Sequence, residues 1–277
     1  MRGWGEPPTS VIVARKSNPG RRSQEGGTPR DLILENPMHL SVSEEMAQRF
    51  PDLRISFVAV RGMDNTGNPP EGLEAELRAA EADFRGRVPD LAALAADARI
   101  VAWQDAYQRF GVNPKKFRPS AEALLRRVVN GHPVPWISRA VNAYLLQELF
   151  FLLPVGGYDL GRLQGDLRLR LSPGDEPFTG IGSPEPEATS PGEVVYADDA
   201  RVLTRRWNFR DCDFAKVETT SRDIILFAEA PSSAVKTEDL LRLVEQIGGK
   251  IREHCGGTTA TGLLDLKQGR EVELPTP

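Results

Sequence analysis

The hydrophobic period of this chain changes between Leu152 and Leu167, and the change limits what it can build. From 71 to Leu152 apolar residues recur at three- and four-residue intervals; from Leu167 they begin to alternate with polar ones. The first spacing lines one face of a helix, the second one face of a strand. A helix is predicted over 71–86. A second, over 90–109, carries Leu91, Leu94, Ala95, Ala98, Val101 and Ala102 on one face and stops at Gly111. A third runs from an N-cap at Ser120 to Asn130-Gly131. In a fourth, over 137–152, Ile137, Val141, Leu145, Leu149 and Leu152 share a stripe that Pro154 ends.

Beyond it, Leu167, Leu169 and Leu171 alternate with Arg168 and Arg170, the pattern of a strand with one wet face. Shorter strands are predicted at 176–181, 193–196, 201–207 and 214–219. The stretch 55–60 reads as a buried strand, 224–229 as a central one and 262–273 as a closing one. A last helix over 237–254 aligns Leu240, Val244, Ile247 and Ile251 before Gly256-Gly257. This order predicts an α+β fold, a helical N-terminal half packed on a mixed or antiparallel sheet core, without the alternation of a doubly wound sheet. Residues 1–30, rich in Gly, Pro, Arg and Ser, bury too little to offset their ordering entropy. They are predicted as a disordered tail, with Met38 a second candidate initiator. Residues 31–110 form an N-terminal α/β portion and 111–277 the core, as one continuous unit.

The net charge of −4 argues against sequence-blind binding to nucleic acid. Local basic clusters remain: Lys115, Lys116, Arg118, Arg126 and Arg127, then Arg205, Arg206 and Arg210. The longest apolar run, 145–155, is broken by Gln147 and Glu148 and is too short for a bilayer, so no membrane association is expected. Cys212 and Cys255 have no metal-ligand spacing and read as two reduced thiols, consistent with a cytoplasmic location. Nucleotide-loop, dinucleotide, nucleophile-elbow and zinc-protease motifs are absent. His39, His132 and His254 lie far apart without a metal-ligand companion, so neither cofactor nor metal is expected.

Four stretches carry side chains suited to recognition. Residues 113–120 present Lys115, Lys116 and Arg118 on a rigid turn, either as a connector or as a phosphate contact. Gly156-Gly157 followed by Tyr158 and Asp159 makes either a tight turn with positive φ or a pocket wall with an amphipathic ring. Trp207, Asn208 and Arg210 set an apolar plate, a bidentate amide and an anion-seeking fork close together, although Arg210 and Asp211 also suit plain ion pairing. Thr219, Thr220 and Ser221 offer hydroxyls for an amine, a water or a backbone turn.

Taken in order, these stretches resemble stand-alone versions of the editing domain, B3/B4, of the bacterial phenylalanyl-tRNA synthetase beta subunit. The similar segments are 113–120, Gly156-Gly157-Tyr158-Asp159, 165–170, 174–178, Ile181-Gly182, 192–195 and 206–211. The resemblance is strong over about 110–230 and loose before that. It implies an α+β fold, a pocket between the glycine segment and the later strands, and hydrolysis of a wrongly attached amino acid from tRNA. In the synthetases that amino acid is tyrosine. This chain departs from the pattern: Gly156 stands in place of a histidine, and Trp207 and Asn208 stand near a pair of glycines. Phe227 stands in place of a glutamate, with Glu229 two residues on and on the same face.

The resemblance therefore implies an aminoacyl-tRNA hydrolase acting in trans, with the tRNA 3′ end or aminoacyl-tRNA as partner. In that reading Gly156, Gly157, Tyr158, Trp207, Asn208 and Arg210 bind substrate, Asn208 and Thr220 are the candidates for orienting amine or water, and Lys115, Lys116 and Arg118 touch RNA. The alternatives are a non-catalytic module that binds an amino acid or an aminoacylated RNA end, and an enzyme outside translation.

Overall fold

The computed structural model describes residues 37–275 and the short strand Val11–Val13. In chain order the elements begin β1 (Val11–Val13), β2 (His39–Val42), α1 (Glu44–Arg49), β3 (Arg54–Arg61), α2 (Glu71–Arg87), α3 (Leu91–Ala96), α4 (Ala98–Arg109), α5 (Ser120–Val129) and α6 (Arg139–Phe151). They continue β4 (Val155–Asp159), β5 (Leu167–Leu171), β6 (Pro177–Phe178), β7 (Glu187–Ala188), β8 (Val194–Ala197), β9 (Val202–Arg205), β10 (Arg210–Asp211), β11 (Ile224–Ala230), α7 (Thr237–Cys255), β12 (Thr258–Asp265) and β13 (Glu271–Glu273).

The fold is α+β. One five-stranded mixed sheet runs β1-β12-β3-β11-β4, and a six-stranded mixed sheet runs β10-β9-β8-β5-β2-β13. In the first, β11 lies between β3 and β4, antiparallel to both. Alternation along β3 and β11 assigns their faces. Phe57, Ala59, Ile225 and Phe227 enter the core shared with the second sheet, together with Leu40, Leu167 and Leu169. Val58, Val60, Leu226 and Ala228 enter the layer covered by α7 through Leu240, Leu243, Val244 and Ile247. Both faces of β11 are buried, which explains why 224–230 reads as a near-continuous apolar run. Among the described residues no helix is long and apolar enough to cross a membrane.

Several sequence expectations change. The helix over 90–109 is two helices, because Asp97 takes an extended conformation and accepts a hydrogen bond from the Arg99 N–H. The break resets the buried face to Ile100, Trp103, Ala106 and Tyr107, leaving Val101 exposed. The N-cap of α5 is Pro119, and Ser120 is its first helical residue. In α6 the cap is Ser138, whose hydroxyl accepts from the Val141 N–H, and Ile137 lies outside the helix, exposed. Gly156 and Gly157 do not turn; they sit inside β4 without positive φ. The span 214–219 forms turn and coil, and the closing strand is two strands, β12 and β13. The predicted tail lies outside the described residues, apart from Val11–Val13, which pairs in parallel with β12.

Candidate functional site

A cavity of about 370 Å³ opens where α5, α6, β4, the β9–β10 turn and the end of β11 meet. Each wall follows from local structure. Alternation in β4 turns Gly156 and Tyr158 toward the cavity and Gly157 away from it. A Cβ on Gly157 would lie 2.0 Å from the Ile225 carbonyl oxygen, so this glycine permits close backbone approach and is not a pocket wall. A Cβ on Gly156 would meet only Asp211 Oδ2, at 3.6 Å.

The β9–β10 turn is strained. Arg206 and Trp207 both take positive φ, 49° and 68°, which costs on the order of 1–3 kcal/mol per residue. Burial of the Trp207 ring offsets this: it is fully buried and packs edge-on against Phe50 at 4.8 Å and Trp103 at 5.1 Å. The turn then presents Asn208 and Phe209 to the cavity. The Tyr107 hydroxyl donates to Asn208 Oδ1 at 2.8 Å. Asn208 Nδ2 is buried and makes no hydrogen bond of good geometry, although it stands near enough to Glu229 to favour that carboxylate.

Three carboxyl groups line the cavity: Glu148 of α6, Asp211 of β10 and Glu229 of β11. Glu148 accepts from the Val155 N–H at 2.7 Å. Burial pushes its carboxyl up to about 8, with a smaller contribution from the charge of Asp211. Glu229 Oε1 accepts from the Trp207 indole N–H at 2.8 Å and from the Tyr196 hydroxyl. Burial pushes Glu229 up to about 7 against the effect of these bonds. Asp211, half-buried, is also raised by desolvation; it accepts from the Thr204 hydroxyl at 2.7 Å, which in turn lies 2.6 Å from the Tyr158 hydroxyl. Tyr196 and Phe227 stack at 5.8 Å behind Glu229. Among the described residues lining the cavity the one cation is Arg127, exposed at the mouth and donating to the Pro133 carbonyl.

The structure thus brings Gly156, Tyr158, Trp207 and Asn208 together and leaves other candidates outside. Arg210 turns away and donates to the Ile181 carbonyl and the Ser183 hydroxyl. Thr220 is exposed in a turn that the Ser221 N–H closes onto the Glu218 carbonyl. Lys115 and Lys116 are exposed, and Arg118 pairs with Glu122 at 3.8 Å. Their loop adjoins the mouth through Phe117, whose ring meets Phe209 at 5.2 Å, and through the Ser120 N–H, which donates to the Asn208 carbonyl. Arg205 is no part of a basic surface, since it is buried against Glu193 and Glu187. Arg206 lies 4.0 Å over the Phe117 ring.

Glu148, Tyr144 and Thr204 were missed in the sequence. The available signal was Glu148 itself, an acid inside the apolar run 145–155. Away from the cavity, His254 does have acidic companions: Glu76 and Glu253 offer ligand atoms within 4.8 Å of it and of each other. Lys250 Nζ already holds both acids, at 2.6 and 2.9 Å. Cys212 and Cys255 are free and buried.

Residues 102–247 match a family model described as the B3/4 domain, and every residue lining the cavity lies inside that span. Among solved structures, an N-terminal fragment of the phenylalanyl-tRNA synthetase beta-subunit from Pyrococcus horikoshii is similar at a TM-score of 0.42 and 11% identity. That match covers 80% of this chain and 50% of that one, so the chain spans about half the length of the fragment. No curated protein matches. The family match extends over more than half of the sequence, and the chain belongs to the B3/4 domain family.

Proposed function

We propose that this protein binds the aminoacylated 3′ end of a tRNA in the cavity and hydrolyses the ester of a mischarged one. The observation that carries the reading is a cavity whose buried acids and orphan amide suit the two polar ends of an aminoacyl ester. Its α-ammonium matches a carboxylate, and its carbonyl oxygen matches the unpartnered Asn208 Nδ2. Membership of the B3/4 domain family adds support.

The ester is already activated, so positioning a water and stabilising developing charge suffice. Glu229, with its pKa near 7, is suited to take a proton from the attacking water. Asn208 Nδ2 donates to the carbonyl oxygen as it gains negative charge. The water oxygen bonds to the carbonyl carbon, the ester C–O bond breaks, the ribose oxygen leaves with the proton that Glu229 took, and the free amino acid departs. The cavity needs no imidazole for this sequence, consistent with Gly156 at the position where the synthetases carry histidine. At the mouth, Lys115, Lys116 and Arg127 suit phosphates, and Phe209 with the Arg206–Phe117 stack suits an unpaired base.

The test is a deacylation screen of the full chain against correctly and incorrectly charged tRNAs. The expected result is release of one mispaired amino acid, abolished by Gly156→Val, which fills the cavity from β4. Persistence of every ester at its uncatalysed rate would overturn hydrolysis. The second reading, a binding module without turnover, rests on the absence of histidine among the lining residues and would then take its place.

A further inference from the structure

The cavity holds more acid than one α-ammonium can match. Glu148, Asp211 and Glu229 each commit an oxygen to the protein, at 2.7, 2.7 and 2.8 Å. The second oxygen of each has no hydrogen bond of good geometry among the described residues. Tyr144, Tyr158, Tyr196, Trp207 and Phe227 surround them, and aromatic faces attract cations. A second observation points to a ligand: Asn208 Nδ2, buried beside Glu229, makes no hydrogen bond of good geometry and is placed to meet an acceptor such as an ester carbonyl.

A neutral amino-acid side chain would leave at least two carboxyl groups buried without a counter-charge, which is costly whenever they ionise. A side-chain amine or guanidinium would offset a second one. We propose that the cavity takes a basic amino acid ester, one carrying a side-chain ammonium or guanidinium besides its α-ammonium. The proposal rests on the aminoacyl-ester reading above and adds the class of side chain. Glu148, 1% exposed, faces the side-chain cation at the buried end, while Glu229 stays beside the ester carbonyl. Asp211, beside Gly156 and less buried, faces the α-ammonium.

The experiment is calorimetric binding of stable amino acid amides to the full chain at pH 6.5, where the α-amino group is protonated. Lysinamide, argininamide, norleucinamide and tyrosinamide all keep the α-ammonium and the carbonyl, and norleucinamide is the lysine chain without its amine. Lysinamide or argininamide is expected to bind at least about tenfold more tightly than norleucinamide. Glu148→Gln is expected to bring lysinamide and argininamide to within about threefold of norleucinamide. If Glu148→Gln does not fold, the wild-type comparison of lysinamide and argininamide with norleucinamide decides alone. Equal or tighter binding of norleucinamide or tyrosinamide overturns the basic side chain and leaves the aminoacyl reading standing. Failure of every amide to bind overturns both.

Discussion

Glu193 and Glu229 are equally removed from water, 4% and 3% exposed, yet their carboxyl groups move in opposite directions. Burial pushes both up. At Glu193 the Arg205 guanidinium reverses this with two bonds of 2.8 Å, aided by the Ser190 N–H, and the pKa falls below its ordinary value. Glu229 has neutral donors only and stays near 7. A buried acid with its own guanidinium is part of the scaffold. Buried acids that share a cavity whose one lining cation among the described residues, Arg127, stands at the mouth leave room for a ligand to supply another. The comparison separates the two roles where burial alone does not.

The largest expected effect lies on the scaffold side. Arg205→Met strands Glu193 as an uncompensated buried charge and should cost about 3–5 kcal/mol in urea denaturation. A small loss would mean the guanidinium is not what holds Glu193. Next is the pH dependence of stability, where the two acids differ in sign. Glu148, raised to about 8, keeps its proton while the unfolded carboxyl loses it, so its contribution is complete below the ordinary carboxylate range and declines as pH rises toward 8. That decline is on the order of 3 kcal/mol between pH 5 and 8. Glu148→Gln should flatten it in melts across that range, whereas the contribution of Glu193 is lost as pH falls. An unchanged profile in the variant would show that Glu148 ionises freely.

Adjacent glycines sharpen the contrast further. Gly157→Ala drives a Cβ into the β11 backbone and should destabilise by about 1–3 kcal/mol. Gly156→Ala meets only a carboxylate oxygen at contact distance and should leave the melting temperature nearly unchanged. Similar losses for both would remove the distinction between a packing glycine and a cavity glycine. The smallest effect is at the mouth: Lys115→Ala with Lys116→Ala should weaken tRNA association by a few-fold and reduce its salt dependence by about two phosphate contacts. An unchanged salt slope would take this loop out of the RNA path.

Much of the fold was legible in local pattern. The switch of period located α6 and β5, and the apolar run at 224–229 identified the central strand. What stayed hidden depended on tertiary context. Asp97 divides a helix through a single side-chain cap, an event that apolar spacing does not register. Gly156-Gly157 suggested a turn because glycine permits positive φ, whereas the real requirement is the approach of β11 to Gly157. Trp207 and Asn208 were visible as a recognition pair. Arg210 was not separable from them, because the hairpin directs neighbours to opposite sides. Glu148 and Glu229 are far apart in sequence, and only the packing of α6 against β4, which pairs with β11, makes them one site.

The most direct test of the central claim is single-turnover deacylation of a mischarged tRNA by wild type and by Glu229→Gln at neutral pH. The substitution keeps the shape and removes the proton acceptor. The account predicts a rate lower by about a hundredfold or more, with the melting temperature held or raised. An unchanged rate in the folded variant would contradict a role for the buried acid in the chemistry.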